Sequence, residues 1–193
     1  MNGWIVPDWP APPSVKAFVT TRAGGVSEGE FGTLNLGLSS GDDPERVERN
    51  RAIVRERLPS DPVYMVQVHG RDVADLDALA PGERPRADAA RTFQAGRAAT
   101  VLTADCMPLL LCDRAGTRVA AVHAGWRGMA AGVIESAVAS LGAPPSEILA
   151  WMGPTIGPDA FEVGAEVREA FAAIHPQAAG AFRPHAPGKF MAD

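Results

Sequence analysis

Apolar residues in this chain gather into short bursts separated by turn-forming stretches, and the spacing inside each burst sets the element it predicts. Two adjoining runs, ATVLTAD and PLLLCD, place apolar side chains at successive positions and predict strands buried on both faces, joined by Cys106 and Met107. RVAAVH, from Arg118 to His123, predicts a third strand, and Ile148 to Met152 a fourth. Val15 to Thr20 and Val63 to Val68 predict two more, the latter delivering Gln67 and His69 at its end. Elsewhere the spacing is helical: Val47, Val54 and Leu58 share one face, as do Val133, Ala137 and Leu141, and Val167, Phe171 and Ile174. Asp43 can cap the first of these helices, Pro44 suits its first position, Glu45 sits at its positive end, and Pro59 to Pro62 stops it. The second helix is expected from about Met129 to Leu141, entered through Ala124-Gly125-Trp126-Arg127-Gly128.

Strands alternating with helices predict an α/β or α+β layered domain, with a strand order that the pattern does not set. The Trp- and Pro-rich opening reads as an extended segment laid on the core, and Asp75 to Arg97 as a polar, Pro- and Ala-rich connection. Between Thr20 and Gly37 the chain runs TTRAGGVSEGEFGTLNLG, with five glycines and few core-forming residues. A loop this long in a compact chain is enriched in binding roles.

Composition narrows the function. At 193 residues and 46% hydrophobic, the chain is expected to form a single domain over residues 1–193. A net charge of -5 without a basic stripe argues against nucleic acid and anionic membrane as partners. No apolar run approaches the roughly 20 residues of a membrane helix, and the start lacks the features of a signal peptide, so a cytoplasmic location is expected. In a reducing compartment Cys106 and Cys112 are expected as thiols rather than a disulfide. Cys112 is assigned to the core. Of the four histidines, His175 and His185 lie in polar, Pro-flanked surroundings and are expected at the surface.

The other two stand at matching places. His69 closes one strand, Cys106 separates two apolar bursts and His123 closes another strand, so the three can converge outside the strand ends. Two His and one Cys with a position left open make a plausible catalytic zinc shell, in which the metal lowers the pKa of bound water to about 7. Copper is the weaker choice: Met107 would have to be the axial ligand of a blue-copper shell, yet adjacent residues of an extended chain point to opposite sides. A multicopper site needs more imidazoles than the chain has. Arg22 and Arg127 lie in glycine-rich surroundings, where an arginine fork can hold a phosphate, and Asp105 could orient a ligand or carry a proton.

TTRAGGVS, LNLG, QVHG, TADCMPLLLCD and HAGWRG, in that order, resemble the YfiH/polyphenol oxidase (laccase domain) family from about Thr20 onward. GPTIGPDAFEVG resembles its following motif, with Thr155 where members often carry Cys. The resemblance implies a mixed sheet flanked by helices, similar to the catalytic domain of cytotoxic necrotizing factor. It implies zinc on His69, Cys106 and His123. Cys106 and Asp105 are expected to be catalytic, and Arg22, Asn35 and Arg127 to bind substrate or phosphate. The implied activity is phosphorolysis of adenosine, inosine, guanosine and methylthioadenosine, with deamination of adenosine besides, by a monomer or homodimer. Members continue beyond KFMAD, so the chain is expected to lack their C-terminal segment. Three rivals stand beside this reading. They are a metal-free cysteine hydrolase or deamidase with Cys106 as nucleophile and His123 as base, a copper-dependent polyphenol oxidase, and a binding module without turnover.

Overall fold

The computed structural model describes residues 3–193. Two sheets share the strands. The larger is built from β1 (Val73–Asp75), β2 (Ala89–Thr92), β3 (Met107–Asp113), β4 (Val119–Ala124) and β5 (Ile148–Met152), in the order β1-β2-β4-β3-β5. β1 and β2 run parallel and the other neighbours antiparallel, so the sheet is mixed, as the family resemblance implies. The smaller sheet is antiparallel, with β6 (Glu162–Gly164), β7 (Phe182–Ala186) and β8 (Lys189–Ala192) in the order β6-β8-β7.

Among the described residues four α-helices flank the sheets: α1 (Pro44–Arg55), α2 (Trp126–Ala131), α3 (Val133–Ser140) and α4 (Ala165–Ile174). Asp43 caps α1 as its sequence predicts, accepting from the Glu45 amide at 2.9 Å; Val47 and Val54 are buried, while Leu58 lies past the helix end. The helix predicted from Met129 to Leu141 is broken. Gly132 takes a left-handed conformation (φ 91°) and separates α2 from α3, a turn that only glycine makes at little cost. The predicted seam survives, with Val133, Ala137 and Leu141 fully buried against Leu109, Leu111, Ala120, Val122 and Ala124. Around Val167, Phe182 and Ala192 a separate core forms, with Phe171 packed against it.

Three predicted strands do not form as ladders. Val15 to Thr20 contributes one isolated bridge, in which Ile5 and Val19 exchange backbone hydrogen bonds of 2.9 and 2.8 Å. Val63 to Val68 and ATVLTAD pack through Val63, Met65, Ala99 and Val101 with Leu76 and Ala90, yet outside one bridge from Val66 to Arg86 they belong to no sheet. Side chains take the place of the ladder between them. Gln67 pairs through its amide with both backbone groups of Leu102 (2.8 and 2.8 Å), Thr100 donates to the Val63 carbonyl, and Ser60 accepts from the Ala98 amide.

Conversely, the supposed polar connection from Asp75 to Arg97 contains β2. Its Ala-Ala-Arg-Thr sequence has no β-branched signal until its last residue, because Ala89 and Ala90 are fully buried where bulk would not fit. Cys112 is buried and free, its thiol pushed up to about 11 by burial and the Asp113 charge, and it belongs to the core as expected. His175 and His185 are exposed. Among the described residues no helix is long and apolar enough to cross a membrane.

Asp113 closes the turn from β3 to β4, accepting from the Thr117 hydroxyl and amide (2.7 and 2.7 Å) and the Arg118 amide (3.0 Å). Burial pushes its carboxyl up, but these bonds and the Arg118 charge outweigh that and hold it below the ordinary value of 3.8. The folded chain therefore binds this proton more weakly than the unfolded chain, and the stabilisation present at neutral pH is lost as pH falls through the carboxylate range. Asp113→Ala is expected to cost about 1–3 kcal/mol in urea unfolding at pH 7. Its gap from wild type should narrow below about pH 4.

Candidate metal centre

The centre sits at one end of the larger sheet because strand register brings its parts there. Pro108 pairs with His123 and Met107 with Ala124, so Cys106, in the bend just before β3, lies beside the end of β4. On the other flank of β4 the His123 amide donates to the Asp88 carbonyl at 2.7 Å. His69 arrives from outside the sheet, on the turn after the extended 63–68 segment. One donor atom from each of His69, Cys106 and His123 lies within 4.8 Å of the others. The two imidazoles meet edge to face, with centroids 4.8 Å apart and planes at 73°.

The three expected ligands therefore meet, and the geometry suits a metal. Zinc bonds of about 2.0–2.3 Å would draw the donors together by a small side-chain movement. Two imidazoles and a thiolate are a donor set that zinc accepts, and three protein ligands leave a fourth position free. His123 is 5% exposed and His69 exposed, so the centre opens on the His69 side. Gly125 keeps the space clear: a Cβ there would lie 2.9 Å from both Cys106 Sγ and His69 Cδ2. Gly128 does the same for the backbone, since its Cβ would lie 2.9 Å from the Gly70 carbonyl oxygen. The two glycines of HAGWRG thus admit the ligand residue and the chain turn of QVHG.

Asp88 was not singled out in the sequence. It is fully buried, and its carboxylate accepts from the amides of Val68 (3.0 Å), His69 (2.9 Å) and Gly70 (2.8 Å) and lies 2.8 Å from His123 Nδ1. Burial pushes its carboxyl up, but the His123 bond and the three amides outweigh that and hold it below the ordinary value. The signal for it was the run Ala87-Asp88-Ala89-Ala90, a lone acid among small apolar residues that are all buried. At Cys106, burial and then the charges of Asp105 and Asp88 push the thiol up.

The remaining expected residues have other contacts. Asp105 is exposed; its backbone carbonyl accepts from the Thr155 hydroxyl (2.7 Å) and the Ile156 amide (2.9 Å), so GPTIG braces the bend that carries Cys106. Arg127 is exposed on the first turn of α2, its guanidinium 4.3 Å from the Trp126 ring centroid. Arg22 donates to the Glu30 carbonyl at 2.9 Å across the glycine loop. Asn35 works within that loop, donating to Ser40 Oγ (2.7 Å) and Asp42 Oδ2 (3.0 Å) and accepting from the Gly37 amide (3.0 Å). Buried Ser27, Asp42 and Asn50 complete the network. Met107, the axial ligand that copper would need, packs against the main core.

Residues 16–193 match the family described as multi-copper polyphenol oxidoreductase laccase. A purine nucleoside phosphorylase of Pseudomonas aeruginosa is 57% identical over 194 residues, spanning 100% of this chain and 79% of that protein. The purine nucleoside phosphorylase YfiH of Escherichia coli is 51% identical over 195 residues, with the same shares. A crystal structure of a Neisseria meningitidis protein superposes with a TM-score of 0.93 at 49% identity, covering 98% of this chain and 78% of that one.

Because Gly125 has an ordinary negative φ (-73°), alanine there strains no backbone and adds only the clash. Gly125→Ala is expected to weaken divalent-metal binding at this candidate site at least about tenfold in a chelator competition, with circular dichroism unchanged.

Proposed function

The chain belongs to the multi-copper polyphenol oxidoreductase laccase family, and from that premise we propose that it is a zinc-dependent purine nucleoside phosphorylase. Its substrates are adenosine, inosine, guanosine and methylthioadenosine, and it also deaminates adenosine. The observation that carries the reading is the meeting of His69, Cys106 and His123, donor atoms within 4.8 Å, around a space that Gly125 leaves open. The names of the similar Pseudomonas and Escherichia proteins supply the substrate class.

His69, Cys106 and His123 would hold zinc, and the metal would supply Lewis-acid chemistry there. The residues do the rest. Arg22 and Arg127 hold phosphate for attack on the anomeric carbon; a phosphate oxygen bonds to that carbon as its bond to the purine nitrogen breaks, and the proton given up by the phosphate ends on the purine, giving free base and ribose 1-phosphate. Asn35 keeps the shape of the loop that carries Arg22. Asp105, exposed beside Cys106, carries a proton on its carboxylate in the deamination of adenosine.

The rivals are less well supported. A metal-free cysteine enzyme needs a thiolate, whereas burial and two neighbouring carboxylates disfavour one at Cys106 unless a cation offsets them. A multicopper oxidase needs further imidazoles, and His185 instead lies 3.6 Å from Glu162 in the smaller sheet.

The test pairs elemental analysis with base release from inosine, with and without phosphate. Wild-type protein is expected to hold about one zinc per chain and to release hypoxanthine only with phosphate. Cys106→Ala and Cys106→Ser should lose the metal and at least about 10²-fold in kcat/KM. Full phosphorolysis by metal-free Cys106→Ala protein would refute the proposal.

A further inference from the structure

We infer that Asp88 is the positioning residue of this centre, one buried carboxylate that sets two of the three ligands at once; the inference rests on the metal reading of His69, Cys106 and His123. Each carboxylate oxygen has two partners. Oδ1 faces the His69 amide (2.9 Å) and His123 Nδ1 (2.8 Å), and Oδ2 accepts from the amides of Val68 (3.0 Å) and Gly70 (2.8 Å). No lysine or arginine pairs with it among the described residues, so three consecutive amides and one imidazole replace water around a fully buried anion.

That arrangement acts on both histidines. Three successive amides can point at one carboxylate because the middle residue turns left-handed, and His69 (φ 57°) is the one non-glycine residue with positive φ among the described residues. The turn that Asp88 holds is the turn that places the His69 ring edge to face with His123. At His123 the carboxylate can only accept, so Nδ1 carries the proton and Nε2 presents its lone pair. A carboxylate that only stabilised the fold would have no reason to choose the tautomer of one ligand and the backbone turn of another. Asparagine is nearly isosteric, but its NH2 group would face donors in place of one oxygen, so either the Val68 and Gly70 amides or the His69 amide and His123 Nδ1 lose their acceptor.

Two measurements test this. Zinc affinity of Asp88→Asn, by chelator competition, is expected to fall about 10–100-fold, whereas Asp113→Ala, destabilised in a turn outside the centre, should bind as wild type does. Long-range proton–nitrogen NMR of metal-free wild-type protein should show His123 protonated at Nδ1 with a bare Nε2. Wild-type protein that binds no zinc at all would sink the metal reading itself. If wild type binds zinc but Asp88→Asn binds it equally well, only the positioning role falls. The spectrum needs neither the metal nor a folded variant: protonation at Nδ1 supports the role of Asp88, and protonation at Nε2 overturns it.

Discussion

His123 lies opposite Asp88 on one side and Pro108 on the other, and the centre depends on this antiparallel register of β2, β4 and β3. Side chains alternate along a strand, so a slip of one residue would turn His123 to the other face and carry the Cys106 bend away from it. The core holds the register. Leu109, Leu111, Ala120 and Val122 lie on the face covered by α3, and all are nearly fully buried. The energy that positions the candidate site is thus mostly hydrophobic and is supplied one or two residues away from His123 and Cys106.

Small residues then decide how closely the pieces approach. Ala89 and Ala90 let helix and loop pack on β2, Gly128 lets α2 sit on the Gly70 carbonyl, and Gly125 leaves clear the space beside Cys106 and His69. The left-handed His69 costs on the order of 1–2 kcal/mol, which the amide cluster on Asp88 can offset. The glycine loop follows the same logic with polar contacts. Ser27, Asp42 and Asn50 are buried and joined to Asn35, so a segment poor in apolar residues still has one conformation.

Much of this was legible in the chain itself. PLLLCD, RVAAVH and Ile148 to Met152 form the strands that their apolar density predicts, and Val133, Ala137 and Leu141 form the predicted seam, because continuous burial leaves a continuous apolar run. ATVLTAD and Val63 to Val68 carry the same density without a ladder: apolar density reports burial, whereas backbone pairing is a separate matter that Gln67, Thr100 and Ser60 settle. Asp88 and β2 were hidden for the opposite reason. Alanine and a lone aspartate resemble a connection, and only long-range packing makes them a strand with a buried anion at its start.

By itself the sequence determined the apolar runs, the helix start at Asp43, and the residue types able to hold a metal, since these depend on side-chain chemistry and local spacing. Only the tertiary structure decided that His69, Cys106 and His123 meet, that Asp88 stands behind two of them, and that Asn35 works inside its loop. The first two are distances between residues far apart along the chain, set by strand order and register, and no local pattern encodes them; the Asn35 contacts span two to seven positions and depend on how the loop turns.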